Sequence, residues 1–193
     1  MRPVLETQYE RPGSLQEAAR LAGQGSKLLA GGQTLLASMK LGLASPPGLA
    51  DLQDVPGLRE IVQQGDALVI GAMARHADVA ASPVVLRSIP GLAGLAAGIG
   101  DRQVRAMGTL GGSVANNDPA ACYPAAVLGL GATVRTNQRE IAADAFFQGL
   151  FATALQEDEV IAAVSFPVPR RSAYAKFRHP ASRFALIGVF VAD

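Results

Sequence analysis

"RAMGTLGGSVANND", residues 105–118, sets two adjacent glycines between apolar neighbours and follows them with small amides and an acid. Backbone without β-carbons suits close approach to a ligand, and amides at a helix start carry the positive end of its dipole. That combination attracts phosphate. A second stretch, "LLAGGQTLLASMKL" at residues 28–41, repeats the arrangement. Two such loops, each between an apolar segment and a helix start, suit a ligand with two phosphates, and a dinucleotide fits that description. Taken singly, each loop reads equally as an ordinary helix-start turn, because glycine pairs are common there.

The fingerprints of the commonest nucleotide folds are missing. "GIGDRQ" and "GLGATV" fail G-x-G-x-x-G and no Gly-Lys-Ser/Thr occurs, so neither a Rossmann fold nor a P-loop is indicated. Other reactive groups are sparse. His76, in "MARHADVAAS", has no partner at metal spacing and reads as a surface or helix-start histidine; His179, ahead of Pro180, reads as a loop residue. Cys122 follows two alanines inside a predicted helix and reads as a buried, inert thiol. Ser113 lacks the G-x-S-x-G elbow of acyl-transfer hydrolases, and no paired carboxylates stand out. Any enzymatic chemistry therefore belongs to a bound cofactor.

The chain of 193 residues accommodates one sizeable core or two small domains. With 17 Lys and Arg against 16 Asp and Glu, its net charge of +1 leaves no electrostatic footprint for nucleic acid. Charged residues make up 17%, below the roughly 25% usual for a soluble domain, so partners are expected to cover part of the surface. One cysteine and two histidines supply neither an internal disulfide, nor a structural zinc set, nor a cluster-binding cysteine set. The start of the chain lacks the apolar core of a signal peptide and no apolar run reaches the roughly 18 residues of a membrane span. A soluble protein in a reducing cytoplasm is the expectation.

Periodicity and turn residues predict alternating elements. A strand is expected at 4–8, then a helix capped by Ser14 with Leu15, Ala18, Ala19 and Ala22 on one face. A buried strand at 27–30 ends at Gly31 and Gly32, and Thr34 opens a second helix running to Leu41. Further strands are expected at 49–52 and 61–63, and "QQGD" turns into the strand "ALVIGA". The pattern turns helical from about Ala77, with a helix at 82–89 and a boundary at Pro90. Asp118 as cap and Pro119 as first helical residue predict a helix to about Leu130. A hairpin turning at 136–139, a short helix, a strand, and a final extended segment and strand complete the chain.

Beyond single motifs, "LLAGGQTLLASMKLGLASP" and "DRQVRAMGTLGGSVANNDPAACYPAAVLGLGATV" closely resemble the two FAD-binding motifs of the flavoprotein (medium) subunits of molybdenum hydroxylases, the carbon monoxide dehydrogenase and xanthine dehydrogenase group. "IAADAFFQGLFATAL", "DEV" and "YAKFRHPASRFALIGVFVA" are similar to that family in order and spacing. The resemblance implies an α+β fold, an FAD-binding domain of the PCMH type with two α/β subdomains. It divides the chain into residues 1–54, residues 55–169, and residues 170–193 as the start of a truncated C-terminal domain. It implies that main-chain amides of Ala30, Gly31, Gly32, Gln33 and Thr34, and of Thr109, Leu110, Gly111, Gly112 and Ser113, cradle the FAD pyrophosphate. It also brings Asn116 and Asn117 to the cofactor and Lys176 to its flavin end.

The implied activity is electron transfer within an oxidoreductase complex, from molybdenum in a molybdopterin-binding large subunit, through a 2Fe-2S small subunit, to FAD here and on to an external acceptor. This chain departs from the pattern at two places: Cys122 stands where many members have an acid able to hold the adenosine ribose, and Ala106 where many have asparagine. Two other functions fit the truncated form, a non-catalytic assembly module and a stand-alone FAD oxidase.

Overall fold

A computed structural model describes residues 7–193. Residues 4–6 of the first expected strand lie outside them, and the described strand, β1, runs Gln8–Glu10. After it come α1 (Leu15–Gly23), β2 (Lys27–Leu29), α2 (Leu35–Lys40) and β3 (Gly48–Asp51), giving a three-stranded parallel sheet in the order β1-β3-β2. Helix α1 starts where Ser14 Oγ accepts from the Glu17 amide at 3.2 Å, while the Glu17 carboxylate accepts from the Gly13 amide at 2.9 Å. Two orphan amides are thereby satisfied. Its apolar face buries Ala18, Ala19, Leu21 and Ala22. Ala18 and Ala19 pack with Leu58, Met73 and Val160, so this first unit shares a core with residues of the second.

The second unit has β4 (Ile61–Gln64) and β5 (Ala67–Gly71), then a helical run of α3 (His76–Ala81), α4 (Pro83–Ser88), α5 (Pro90–Ala97), α6 (Arg102–Met107), α7 (Leu110–Asn116) and α8 (Tyr123–Gly129). Next come β6 (Thr133–Thr136), β7 (Glu140–Ala142), α9 (Ala143–Phe146), the short pair β8 (Phe147–Gly149) and β9 (Ala152–Thr153), and β10 (Ile161–Pro167). Five of these strands form an antiparallel sheet, β4-β5-β10-β6-β7. Leu68, Ile70, Val164 and Phe166 from its centre meet Leu92, Leu95, Leu110 and Tyr123 from the helices, all without solvent exposure. At about 1.5–3 kcal/mol for each fully buried large apolar side chain, this core is the main source of stability. A last hairpin, β11 (Ser172–Arg178) and β12 (Ala185–Ala192), seats Phe190 against Gly129 at the end of α8. It is pinned to the start of α5 where the Gly91 amide donates to Ser172 Oγ at 3.1 Å.

One expected helix start is corrected. Asp118 caps no helix: its carboxylate accepts from the Ala120 amide at 2.8 Å, an Asx turn, and α8 begins only at Tyr123 with Pro124 in its first turn. Asn117, with φ of 43° in the left-handed region, has already ended α7 just before that turn. Thr34 does precede α2, but its backbone is already helical and its side chain makes no capping bond.

Candidate functional site

The first glycine loop leaves the end of β2 and crosses to α2 with its amides unclaimed. Those of Gly31, Gly32, Gln33 and Thr34 donate to no carbonyl or side chain among the described residues. Each glycine has its own reason. An added β-carbon on Gly31 would meet the Met107 carbonyl and lie 2.7 Å from Gly108 Cα, so the two loops touch there. Gly32 has φ of +69°, a conformation that side-chain-bearing residues rarely adopt.

The second loop is built differently. Thr109 caps α7, its Oγ1 accepting from the Gly112 amide at 3.2 Å. Leu110 and Gly111 donate to the Ala74 and Ala72 carbonyls at 3.0 and 2.8 Å, and Ser113 donates to Thr109 O at 3.1 Å. Of residues 109–113, Thr109 alone keeps an uncommitted amide among the described residues. The expectation that this whole loop offers amides to phosphate is thus corrected, because the segment after β5, the Thr109 cap and the first turn of α7 have taken four of the five. Gly111 is glycine for packing: an added β-carbon would lie 2.8 Å from the Ala72 carbonyl. Gly112 faces the first loop, where its β-carbon would sit 3.6 Å from Ala30 Cβ.

His76 fixes this loop from beneath. Its amide donates to Gly108 O at 2.9 Å, which with the Leu110 to Ala74 bond makes a bridge between residues 75 and 109. The imidazole starts a helix, as expected, but it is only 5% exposed and not on the surface. Burial, reinforced by the nearby Arg105 guanidinium, pushes its pKa down to about 4, so it is neutral at physiological pH.

Both loops line one cleft of about 1180 Å³, larger than the roughly 300–1000 Å³ of drug-sized ligand sites. Ala30, Gly31, Gly32, Gln33 and Thr34 reach it from the first loop, and Thr109, Gly111, Gly112 and Ser113 from the second, with Asn116 and Lys176 beyond them. Leu110 and Asn117 do not line it. The Leu110 side chain belongs to the core. The Asn117 amide group turns away to donate to the Gly149 and Ala152 carbonyls at 2.7 and 2.8 Å, clamping the β8–β9 turn. Lys176 Nζ donates to Gly98 O at 3.1 Å and to Cys122 Sγ at 3.3 Å. Cys122 is buried as expected, though it precedes α8 rather than lying within it. His179 lies past β11, its Nδ1 accepting from the amides of Ala181 and Ser182.

Sequence reasoning missed one part of the cleft wall. Ser182, Arg183 and Phe184, in the turn between β11 and β12, line the same cleft, and only the hairpin's docking on α5 and α8 brings them there. The free amides, the β-carbon-free approach and the lysine suit a diphosphate-bearing dinucleotide such as FAD. Among the described residues no cluster of potential metal ligands occurs, and no helix is long and apolar enough to cross a membrane.

Known proteins share this fold. The family described as FAD binding domain in molybdopterin dehydrogenase matches residues 5–169. The carbon monoxide dehydrogenase medium chain of Hydrogenophaga pseudoflava is 38% identical over 194 residues, covering 95% of this chain and 68% of the relative. The nicotine 6-hydroxylase medium subunit of Paenarthrobacter nicotinovorans is 36% identical over 190 residues, covering 95% and 67%. Among solved structures, carbon monoxide dehydrogenase from Hydrogenophaga pseudoflava, in a form lacking the Mo-pyranopterin moiety of its cofactor, superposes with a TM-score of 0.91 at 38% identity, covering 95% of this chain and 67% of that one. Quinoline 2-oxidoreductase from Pseudomonas putida 86 superposes with a TM-score of 0.91 at 32% identity and the same coverage, 95% and 67%. The chain spans about two thirds of the length of these relatives. Agreement of family, sequence and fold across nearly the whole chain means that it belongs to the FAD-binding domains of molybdopterin dehydrogenases, as the FAD-binding medium subunit of a molybdenum hydroxylase.

Proposed function

We propose that the cleft holds FAD with its pyrophosphate on the amides of Gly31, Gly32, Gln33 and Thr34, met from the second loop by the Thr109 amide. The chemistry that FAD supplies when bound is electron transfer, from the 2Fe-2S small subunit, itself fed by molybdenum in a large molybdopterin-binding subunit, to an external acceptor. Everything else is binding and positioning. Gly31 lets the first loop lie against residues 107–108, so the amides of both loops converge on one anion. Ala30 and Gly112 close the floor between them. Ser113 and Asn116 add polar side chains along α7, and Lys176 places a cation on the cleft wall. Leu110 and Asn117 act as frame, holding α7 to the core and to the β8–β9 turn.

Four consecutive residues, 31–34, whose amides have no partner among the described residues, line the same cleft as Thr109 and Lys176 and carry this reading. A division into two α/β subdomains, residues 1–54 and 55–169, followed by the start of a third unit at 170–193, accords with it, as does a cytoplasmic complex with both partner subunits. Purified protein, alone or in its complex, is expected to show flavin absorbance that dithionite bleaches, and to release FAD on denaturation. Colourless protein that cannot be reconstituted with FAD overturns the proposal.

A further inference from the structure

One contact in the cleft is not needed for holding a dinucleotide. Lys176 Nζ lies 3.3 Å from Cys122 Sγ, and its other hydrogen bond among the described residues goes to the neutral Gly98 carbonyl. Among the described residues Lys176 enters no ion pair. The two residues are 54 positions apart in sequence. Cys122 is fixed at the start of α8 and Lys176 by the β11–β12 register, so packing of the hairpin holds them together. Tyr174, two residues earlier on β11, stands by as a third group. Its buried hydroxyl has no hydrogen-bond partner among the described residues. Cys122 is sheltered, only 5% exposed, yet both it and Lys176 are among the residues that line the cleft.

We propose that Cys122 and Lys176 form an oxidant-sensitive pair, in which hydrogen peroxide converts the thiol to a sulfenic acid that condenses with the lysine to a reversible sulfur–nitrogen bond. Thiols beside a cation are those oxidised selectively, and sulfenic acids condense with nearby nitrogen. In the first step Sγ takes one peroxide oxygen and the O–O bond breaks. The sulfur is oxidised by two electrons, the peroxide is reduced, and the second oxygen leaves as water. In the second step the ammonium first gives one proton to solvent; the freed Nζ lone pair bonds to Sγ, the S–O bond breaks, and the departing hydroxide takes a second proton from nitrogen to leave as water. Thiol, ammonium and peroxide thus become a sulfenamide, one water and one hydronium ion. Rotation within the lysine chain closes the gap, and the link removes one cation from the cleft while tying β11 to α8. The pair goes beyond FAD binding, and its chemistry stands or falls separately from it.

The test is peroxide treatment of the full chain followed by intact-mass and peptide mass spectrometry. Folded wild-type protein is expected to lose two hydrogens, with the peptide containing Cys122 joined to the one containing Lys176, and dithiothreitol should restore both. The link should be lost in Cys122→Ser, in Lys176→Gln and in wild-type protein unfolded in urea, while dimedone traps the sulfenic acid in Lys176→Gln. Circular dichroism checks that each variant is folded. Oxidation of Cys122 in the folded wild type with no cross-link, an equal yield of link from the unfolded chain, or a linked product that retains the peroxide oxygen would each overturn the proposal.

Discussion

Replacing Gly31 and Gly111 by alanine separates two reasons for glycine within one site. The β-carbon absent from Gly31 faces the Met107 carbonyl and would lie 2.7 Å from Gly108 Cα. Real β-carbons do not sit that close to backbone, so residues 30–34 must back away from the second loop. Overpacking of this kind costs about 1–3 kcal/mol. Gly31 is on a half-buried loop that relaxes by moving, so the cost returns only when FAD draws the amides together again. At 1.4 kcal/mol per factor of ten, FAD affinity should fall by about 5- to 150-fold with the apo-protein Tm nearly unchanged. Gly111 is buried at the start of α7, and its missing β-carbon faces the Ala72 carbonyl at 2.8 Å and Ala72 Cα at 2.9 Å. Neither backbone can yield there. The same cost appears as lost stability, a Tm lower by about 2–12 °C at roughly 2–4 °C per kcal/mol for a chain this long. Flavin-fluorescence titration and thermal unfolding of the apo-protein read the two quantities. Gly31→Ala with wild-type FAD affinity, or Gly111→Ala with wild-type Tm, contradicts the roles assigned to these glycines.

Three other perturbations test the frame. Asn117→Ala loses two hydrogen bonds and forces alanine into a left-handed backbone, so Tm should fall by the equivalent of about 2–3 kcal/mol, whereas Asn117→Gly should recover part of that loss by relieving the backbone. The depressed pKa of His76 means that only the unfolded chain gains its proton as pH drops below 6.5. Stability is therefore whole above pH 6.5 and declines toward pH 4, by on the order of 3 kcal/mol, and the slope should flatten in His76→Asn when chemical unfolding is followed against pH. Glu159, whose side chain is fully buried, is held at a pKa of about 2 by Arg139 first, against the opposing effect of burial, with help from the Gln156 amide and the Thr136 hydroxyl. Its contribution is present above pH 4.5 and lost as pH falls toward 2, and Arg139→Gln should cost about 2 kcal/mol at neutral pH in urea unfolding.

Local signals were readable where local chemistry decides the outcome. Ser14 caps α1, the helix expected at 82–89 forms as α4, and the hairpin turns at residues 136–139, because each depends on neighbours within three or four positions. Asp118-Pro119 misled for the same reason. The pair carries a strong helix-start signature, but Asn117 is already held by carbonyls at 149 and 152, and the chain needs a turn before α8 can begin at Tyr123. The glycine pairs were legible as a common site, while the division of labour between them was not. Which amides stay free depends on Ala72 and Ala74, strangers to the motif in sequence. His76 looked like a surface residue because nothing local reveals that Gly108 and Tyr123 close over it. The meeting of Cys122 with Lys176 was beyond any local pattern, since it exists only once the final hairpin docks.

The central strand of the larger sheet is the last of that sheet's strands to be made. β4–β5 and β6–β7 are neighbours in sequence, yet β10 alone joins them, pairing with β5 on one side and β6 on the other. Isolated two-stranded hairpins are marginal in water, so during synthesis both halves must wait, with their apolar faces uncovered, until residues 161–167 leave the ribosome. Folding of the cofactor cleft should then be late and cooperative, with its rate set by the insertion of β10 between two waiting hairpins. A chain released before residue 161 would carry both glycine motifs complete and still lack the strand that joins the two halves of the five-stranded sheet.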